Sequence, residues 1–191
     1  MPLQIAQDEA ADEVLSTNAF ALLAGMMLDQ QFPMERAFAG PAKILDRFGT
    51  LDPSAIADAS PEEFAEICAR PPVVHRFPGA MAARLQALAK TVVETYGGDA
   101  ASLWSTADTG EELLRRVQAL PGFGKQKAQI FVALLGKQLA VRPPGWRESA
   151  GHYADSGSYR SVADVVDAAS LEKVRQFKRD AKAAAKASGQ A

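Results

Sequence analysis

The chain has 191 residues, enough for one domain with a sizeable core or for two small lobes that share one. No stretch approaches the roughly 18 uninterrupted apolar residues that a membrane-spanning helix needs, so we expect no membrane association. The net charge of −2 excludes a uniformly basic nucleic-acid binder. The charge is nevertheless uneven. Residues 1–110 carry 7 Lys/Arg against 15 Asp/Glu, and residues 111–191 carry 14 against 8, so a polyanion would meet the C-terminal part.

Cysteine and histidine content restricts the cofactors. Cys68 is the only cysteine, which excludes an intrachain disulfide and a four-cysteine iron–sulfur cluster. His75 and His152 are too far apart in sequence to suggest a zinc site, so we expect no metal and no cofactor. The N-terminus lacks the basic and apolar regions of a signal peptide. We therefore expect a cytoplasmic protein, associated with the nucleoid if it is bacterial.

Helical signals dominate the first hundred residues. A helix begins near Asp8, and a second, capped by Ser16 or Asn18, runs from Ala19 to about Gln31. The second helix is apolar nearly all round, which is typical of a central core helix. The pattern also predicts helical segments over 34–48, interrupted at Gly40-Pro41 and ended by Gly49, short helices capped by Asp52 and Ser60, and a helix over 81–96.

The remaining residues predict a helical hairpin, a loop and a basic tail. The hairpin covers about 111–137, with a first helix over 111–120 and a second over 126–137, and a brief strand signal follows at 139–141. Residues 142–160 form a long loop, and loops of this length tend to be functional or disordered. Ser170 caps a last helix, and residues 171–191 form a basic tail. Its charged stripe is either a solvated face or a phosphate contact: Arg175, Lys178, Arg179, Lys182 and Lys186.

The run Leu-Pro-Gly-Phe-Gly-Lys-Gln-Lys-Ala over 120–128 lies at the hairpin turn. Gly122 and Gly124 suit a turn that takes positive φ angles and brings bare backbone N–H groups up to a ligand. A helix starting at Gly124 would point its positive dipole end at a phosphate, and Lys125 and Lys127 would add charge. The alternative is an ordinary helix-turn-helix corner with glycine at a C-cap.

This run resembles the helix-hairpin-helix turn of the HhH-GPD superfamily of base-excision DNA glycosylases. Leu28-Asp29-Gln30-Gln31 is similar to the Ser-Gln-Gln or Ala-Gln-Gln signature of these enzymes, and residues 77–85 match more weakly. The resemblance implies an all-α, two-lobed domain over 1–170 whose partner is double-stranded DNA with a damaged or mispaired base. The implied DNA-contacting residues are Pro121, Gly122, Phe123, Gly124, Lys125, Lys127, Gln30 and Gln31.

Two departures from the family pattern affect the chemistry. Members that also cut the strand carry a Schiff-base lysine two residues after the second hairpin glycine, where this chain has Gln126. The family also places a catalytic Asp about 15 residues beyond the hairpin, and the aligned residue here is Arg142. A carboxylate stabilises the cationic sugar during glycosidic hydrolysis, so another must reach the site. Asp155 and Asp164 are the candidates, followed by Asp29 and Glu148.

The same loop holds aromatic residues that suit a base pocket. Trp146 and Tyr153 could stack on a base taken out of the duplex, although Trp146 could equally close the core. The favoured hypothesis is a monomeric, monofunctional DNA glycosylase. The alternatives are a non-catalytic DNA-binding or lesion-sensing protein that kept the hairpin and lost the acid, and a helical protein-interaction domain.

Overall fold

The computed structural model describes residues 2–189, which form twelve α-helices joined by turns and contain no β-strand. The helices are α1 Glu9–Thr17, α2 Ala19–Leu28, α3 Met34–Phe38, α4 Gly40–Phe48, α5 Pro53–Asp58, α6 Pro61–Ala69, α7 Pro78–Tyr96, α8 Ser102–Ser105, α9 Gly110–Gln118, α10 Lys125–Gln138, α11 Trp146–Ala150 and α12 Ala168–Ala187. The predicted all-α class is confirmed.

Side-chain caps define where many of the helices begin. A side-chain oxygen accepts a hydrogen bond from a backbone N–H of the first turn at Asp8, Asn18, Asp52, Ser60 and Thr109. Glycine ends α4 and α7, at Gly49 with φ +88° and Gly97 with φ +62°. These local signals explain why most of the helices could be located from the sequence.

Helix α2 lies at the centre of the molecule, with nine of its ten residues buried. It packs against α1, α3, α4 and α7, and α5 and α6 cover the other side of α7. A second group of helices, α9, α10 and α11, packs together around the hairpin. One continuous cluster of buried apolar residues runs through both groups.

The segment after α2 differs from the prediction. The helix ends at Leu28 instead of continuing to about Gln31, because Asp29 leaves helical geometry with ψ +68° and Gln31 takes φ +51°. Residues 29–33 therefore form an irregular connection to α3 that exposes part of the amide-rich signature.

Three further expectations need correction. Residues 139–141 form no strand. The loop 142–160 contains α11 and a 3-10 turn over Gly151–Ala154. The last helix begins at Ala168, because Asp167 is its N-cap and Ser170 completes a capping box from inside the helix. Its Leu171 and Val174 are buried, so the first turns of α12 pack against the rest of the protein.

Among residues 2–189, no helix is long and apolar enough to cross a membrane.

Candidate nucleic-acid interface and pocket

The hairpin turn connects α9 to α10 and is fixed by one buried ring. Phe123 is 4% exposed, its ring lies 6.3 Å from that of Phe131, and its N–H donates to the Leu120 carbonyl at 3.2 Å. The predicted DNA-contacting Phe123 therefore points into the core, while Pro121 is partly buried and Gly122 is exposed. Gly122 has φ +80°, a conformation that favours glycine, as expected.

Gly124 has no such conformational requirement. Its φ of −74° and ψ of 177° are extended backbone that any residue adopts, and a Cβ there would meet no atom within 4 Å. The expectation that both glycines need positive φ is thus wrong for Gly124. Because Gly124 is the N-cap of α10 and no side chain caps this helix, the first N–H groups of α10 open directly to the surface.

The two hairpin lysines occupy different environments. Lys125 is exposed at the first position of α10. Lys127 points inward, and its Nζ donates to the carbonyls of Met26 at 2.9 Å, Met27 at 3.3 Å and Asp29 at 3.4 Å. Burial lowers the pKa of Lys127, although the nearby Asp29 carboxylate raises it. Lys127 thus caps α2 and ties it to the hairpin, and only Lys125 is presented at the surface.

The two adjacent glutamines also differ. Gln30 is held by the protein, because its Nε2 donates to the Met27 carbonyl at 2.8 Å and its Oε1 accepts from Arg84 at 3.2 Å. The buried His75 fixes the same residue. Its Nδ1 accepts from the Phe77 N–H at 3.0 Å, so its Nε2 carries the proton that binds the Gln30 carbonyl at 2.8 Å. Gln31 is exposed in its positive-φ conformation.

A pocket of about 350 Å³ opens beside the start of α10. It lies between the end of α2, the first turns of α10, the 3-10 turn at 151–154 and the exposed part of α12. We call it the hairpin pocket, and its lining residues are Met26, Asp29, Gln126, Lys127, Ile130, His152, Tyr153, Arg160, Phe177, Lys178 and Ala181.

Gln126 and Tyr153 form the polar centre of the hairpin pocket. The Gln126 Nε2 donates to the Tyr153 Oη at 2.8 Å, and the Tyr153 ring lies 4.3 Å from that of His152. Tyr153 is 8% exposed and fixed by these contacts. The residue at the family's Schiff-base position therefore lines a pocket, as does the predicted base-pocket residue Tyr153.

Asp29 supplies a carboxylate to the same pocket. It is the C-cap of α2, and its backbone N–H donates to the carbonyls of Gly25 and Met26. Among residues 2–189, no group donates a hydrogen bond to its carboxylate. Burial raises the pKa of Asp29, and the opposing effects of Lys178 and Lys127 are smaller. Sequence reasoning ranked Asp29 behind the loop acids, because nothing in the sequence predicts that α2 ends against the hairpin.

The favoured loop acids lie elsewhere. Asp164 accepts from Lys137 at 2.5 Å and from the N–H of Arg160 at 2.8 Å, and its side chain is 5% exposed. Since Lys137 is in the last turn of α10, this pair lies about 18 Å along the helix from Lys125. Asp155 is 57% exposed and lies 3.8 Å from Arg160, outside the pocket lining.

Trp146 and Arg142 also lie away from the hairpin pocket. Trp146 is 7% exposed and packs against Gly136 of α10, so it closes the core instead of lining the hairpin pocket. The Arg142 Nε donates to the Gly136 carbonyl at 2.8 Å and caps the end of α10. The position aligned with the family's catalytic Asp is thus structural in this chain.

Comparisons with known proteins identify the family of the chain. A search of curated proteins finds no match. The sequence matches the HhH-GPD superfamily base excision DNA repair protein family over residues 24–189, which covers the second half of α2, the hairpin and α12. The chain therefore belongs to the HhH-GPD superfamily of base excision DNA repair proteins.

Proposed function

We propose that this protein is a monofunctional DNA glycosylase, which hydrolyses the N-glycosidic bond of a damaged or mispaired base in double-stranded DNA. The observation that carries the proposal is the hairpin pocket, in which Gln126 replaces an amine nucleophile next to an uncapped helix N-terminus. The pocket combines a carboxylate, aromatic rings and a place for DNA phosphate at one end of α10.

The hairpin supplies the backbone contact. The open N–H groups at the start of α10 and the exposed Lys125 present partial and full positive charge to a phosphate oxygen. Gly124 leaves room for that oxygen to approach the backbone, since no side chain covers the helix end. These contacts read no base and would position any duplex.

The hairpin pocket suits a base taken out of the duplex. Its volume of about 350 Å³ lies within the range of small-ligand sites. Tyr153 and Phe177 offer aromatic surfaces, and Gln126, His152 and Arg160 offer polar groups for the base edge. An enzyme that acts on an extruded base needs both kinds of contact.

The environment of Lys127 supports hydrolysis by water. Lys127 has its Nζ held by three carbonyls at the end of α2, so an attack on a sugar would uncap that helix. Lys178 is the other lysine in the pocket lining, on the exposed part of α12. An amide at position 126 forms no imine.

The test is incubation of the purified protein with a panel of duplexes, each carrying one damaged or mispaired base, followed by measurement of free base. Release of base from at least one duplex is the expected result. The second candidate function is non-catalytic lesion binding, which the structural role of Arg142 at the usual acid position favours. Tight binding to lesion duplexes without release of base from any of them would support that alternative.

A further inference from the structure

The hairpin pocket contains a carboxylate that the sequence comparison does not assign to catalysis. We propose that Asp29 stabilises the cationic sugar during glycosidic hydrolysis and thereby replaces the acid that the family places after the hairpin. This inference rests on the proposed glycosylase function and names the group that carries its chemistry. It moves the catalytic carboxylate from the segment after α10 to the end of α2.

The position of Asp29 is fixed from two sides. Its backbone N–H donates to the Gly25 carbonyl at 3.1 Å and the Met26 carbonyl at 3.3 Å, and its own carbonyl accepts from the Lys127 Nζ at 3.4 Å. Nine buried residues of α2 anchor the helix that precedes it. The backbone that carries the carboxylate is therefore held in place at the edge of the pocket, and electrostatic catalysis depends on such fixed placement.

The Asp29 carboxylate is also uncommitted. The acids of the loop after α10 face their own cations: Asp164 binds Lys137, and Asp155 lies by Arg160. Within the described part of the chain, Asp29 is the only acid that lines the hairpin pocket, and no residue donates a hydrogen bond to its carboxylate. A half-buried carboxylate without a hydrogen-bond donor is costly for folding, and a positively charged ligand in the pocket would offset that cost.

The chemistry follows from this placement. As the bond between the sugar C1′ and the base nitrogen breaks, its electron pair leaves with the base and positive charge develops on the sugar ring. A carboxylate beside that ring lowers the energy of the cation. Water then adds its oxygen to C1′, and its released proton balances the negative charge of the departing base. The products are a free base and an abasic sugar, and the protein is unchanged.

Two cations of the pocket favour the charged form of Asp29, although burial raises its pKa overall. Lys127 approaches from α10 and Lys178 from α12. Both oppose the rise in the pKa of Asp29 that burial causes, whereas Glu35 of α3 adds to that rise. Arg160 and His152 line the same pocket. A substrate sugar cation would add one more positive charge next to the carboxylate, and it would be attracted because the site is partly shielded from water.

The experiment uses two duplexes that carry no base at the test position, so it does not depend on which base the protein excises. One carries a pyrrolidine ring in place of the sugar, and this ring is cationic at neutral pH. The other carries the neutral tetrahydrofuran ring at the same position. The ratio of the two dissociation constants measures the attraction of the site for a sugar cation. The variants are Asp29→Asn, Asp29→Glu and, as a matched Asp-to-Asn control, Asp155→Asn, each checked for an intact melting transition.

We expect the parent protein to bind the cationic duplex about tenfold or more tightly than the neutral one. Asp29→Asn should lose most of this preference, Asp29→Glu should keep part of it, and Asp155→Asn should keep all of it. No preference in the parent, or an unchanged preference in Asp29→Asn, would overturn the assignment. Failure of the proposed function is a separate result, the absence of free base from every lesion duplex.

Discussion

At the scale of single residues, the two hairpin glycines have different roles. Gly122 needs glycine for its positive φ, whereas Gly124 has ordinary extended backbone and open space around it. The sequence predicted the same turn role for both glycines, because a sequence shows the residue type and not the φ angle that the residue adopts. The proposed function assigns Gly124 to the phosphate contact, and this assignment can be tested separately from the turn role of Gly122.

Alanine at each position separates the two roles. Gly122→Ala should lower the free energy of unfolding by about 1–2 kcal/mol, because a Cβ is unfavourable at positive φ. Gly124→Ala should change the melting temperature little, because the gain of about 0.4–1 kcal/mol from a less flexible unfolded chain is offset by alanine being a poorer N-cap than glycine. It should nevertheless weaken binding to any duplex. Unchanged DNA affinity in Gly124→Ala would refute the role of this helix end as the phosphate site.

The raised pKa of Asp29 leads to a second prediction, which concerns how the stability of the protein depends on pH. Burial raises its pKa above the ordinary value of 3.8, with Lys178 and Lys127 opposing and Glu35 adding to the shift. The folded state therefore holds this proton more tightly than the unfolded chain does. The contribution of the Asp29 carboxyl group to the free energy of unfolding is fully present below pH 3.8. It is lost as the pH rises through the raised pKa of the folded state.

An asparagine at this position imitates the protonated acid. Asp29→Asn should therefore be as stable as the parent or more stable at pH 7, and the difference in melting temperature should shrink as the pH is lowered towards 3.8. The measurement is thermal unfolding of both proteins across that range. A variant that is less stable than the parent at pH 7 would mean that Asp29 is a structural ion-pair partner and not a strained functional group.

At the scale of elements, the packing of α9, α10 and α11 sets the wall of the pocket. Gly136 of α10 lies against the Trp146 indole, and Gly110 of α9 lies against the backbone of Gly145 and Trp146. The close approach of these helices directs the chain after α11 back to Gln126, where Tyr153 accepts its hydrogen bond. Of residues 142–160, His152, Tyr153 and Arg160 thus line the hairpin pocket.

A methyl group at Gly136 tests this packing. In Gly136→Ala the new Cβ would overlap the buried Trp146 ring, so the free energy of unfolding should fall by about 1–3 kcal/mol, the usual cost of overpacking. The control is Gly79→Ala in the first turn of α7, where a Cβ meets no atom within 4 Å. Denaturant unfolding of the two variants makes the comparison, and equal stabilities would contradict the described contact.

At the scale of the whole molecule, the sequence predicts what local signals encode. Caps such as Asp8 and Ser60 and the apolar run of α2 located helices correctly, since these signals act within a few residues. The site required contacts that span the chain. Lys127 meets carbonyls of α2 that are about a hundred positions earlier, and no local pattern predicts that pairing.

The basic C-terminal segment illustrates the same limit. Its charge pattern predicted either a solvated face or a phosphate contact, but Phe177, Lys178 and Ala181 of α12 form one side of the hairpin pocket. Arg175 pairs with Glu35 of α3 and holds the helix in place. The last helix therefore has a structural link to the site that its sequence alone did not reveal.

The central claim is that water, not an amine of the protein, breaks the glycosidic bond in the hairpin pocket. The most direct measurement uses a lesion duplex from which the protein releases base. The DNA strand is examined directly after the reaction, after a further treatment with alkali, and after a reaction carried out in the presence of borohydride. We predict an unbroken strand in the direct sample, cleavage at the lesion only after alkali, and no covalent protein–DNA adduct with borohydride. Strand cleavage without alkali together with a trapped adduct, lost in Lys178→Ala or in Lys127→Ala, would contradict the account.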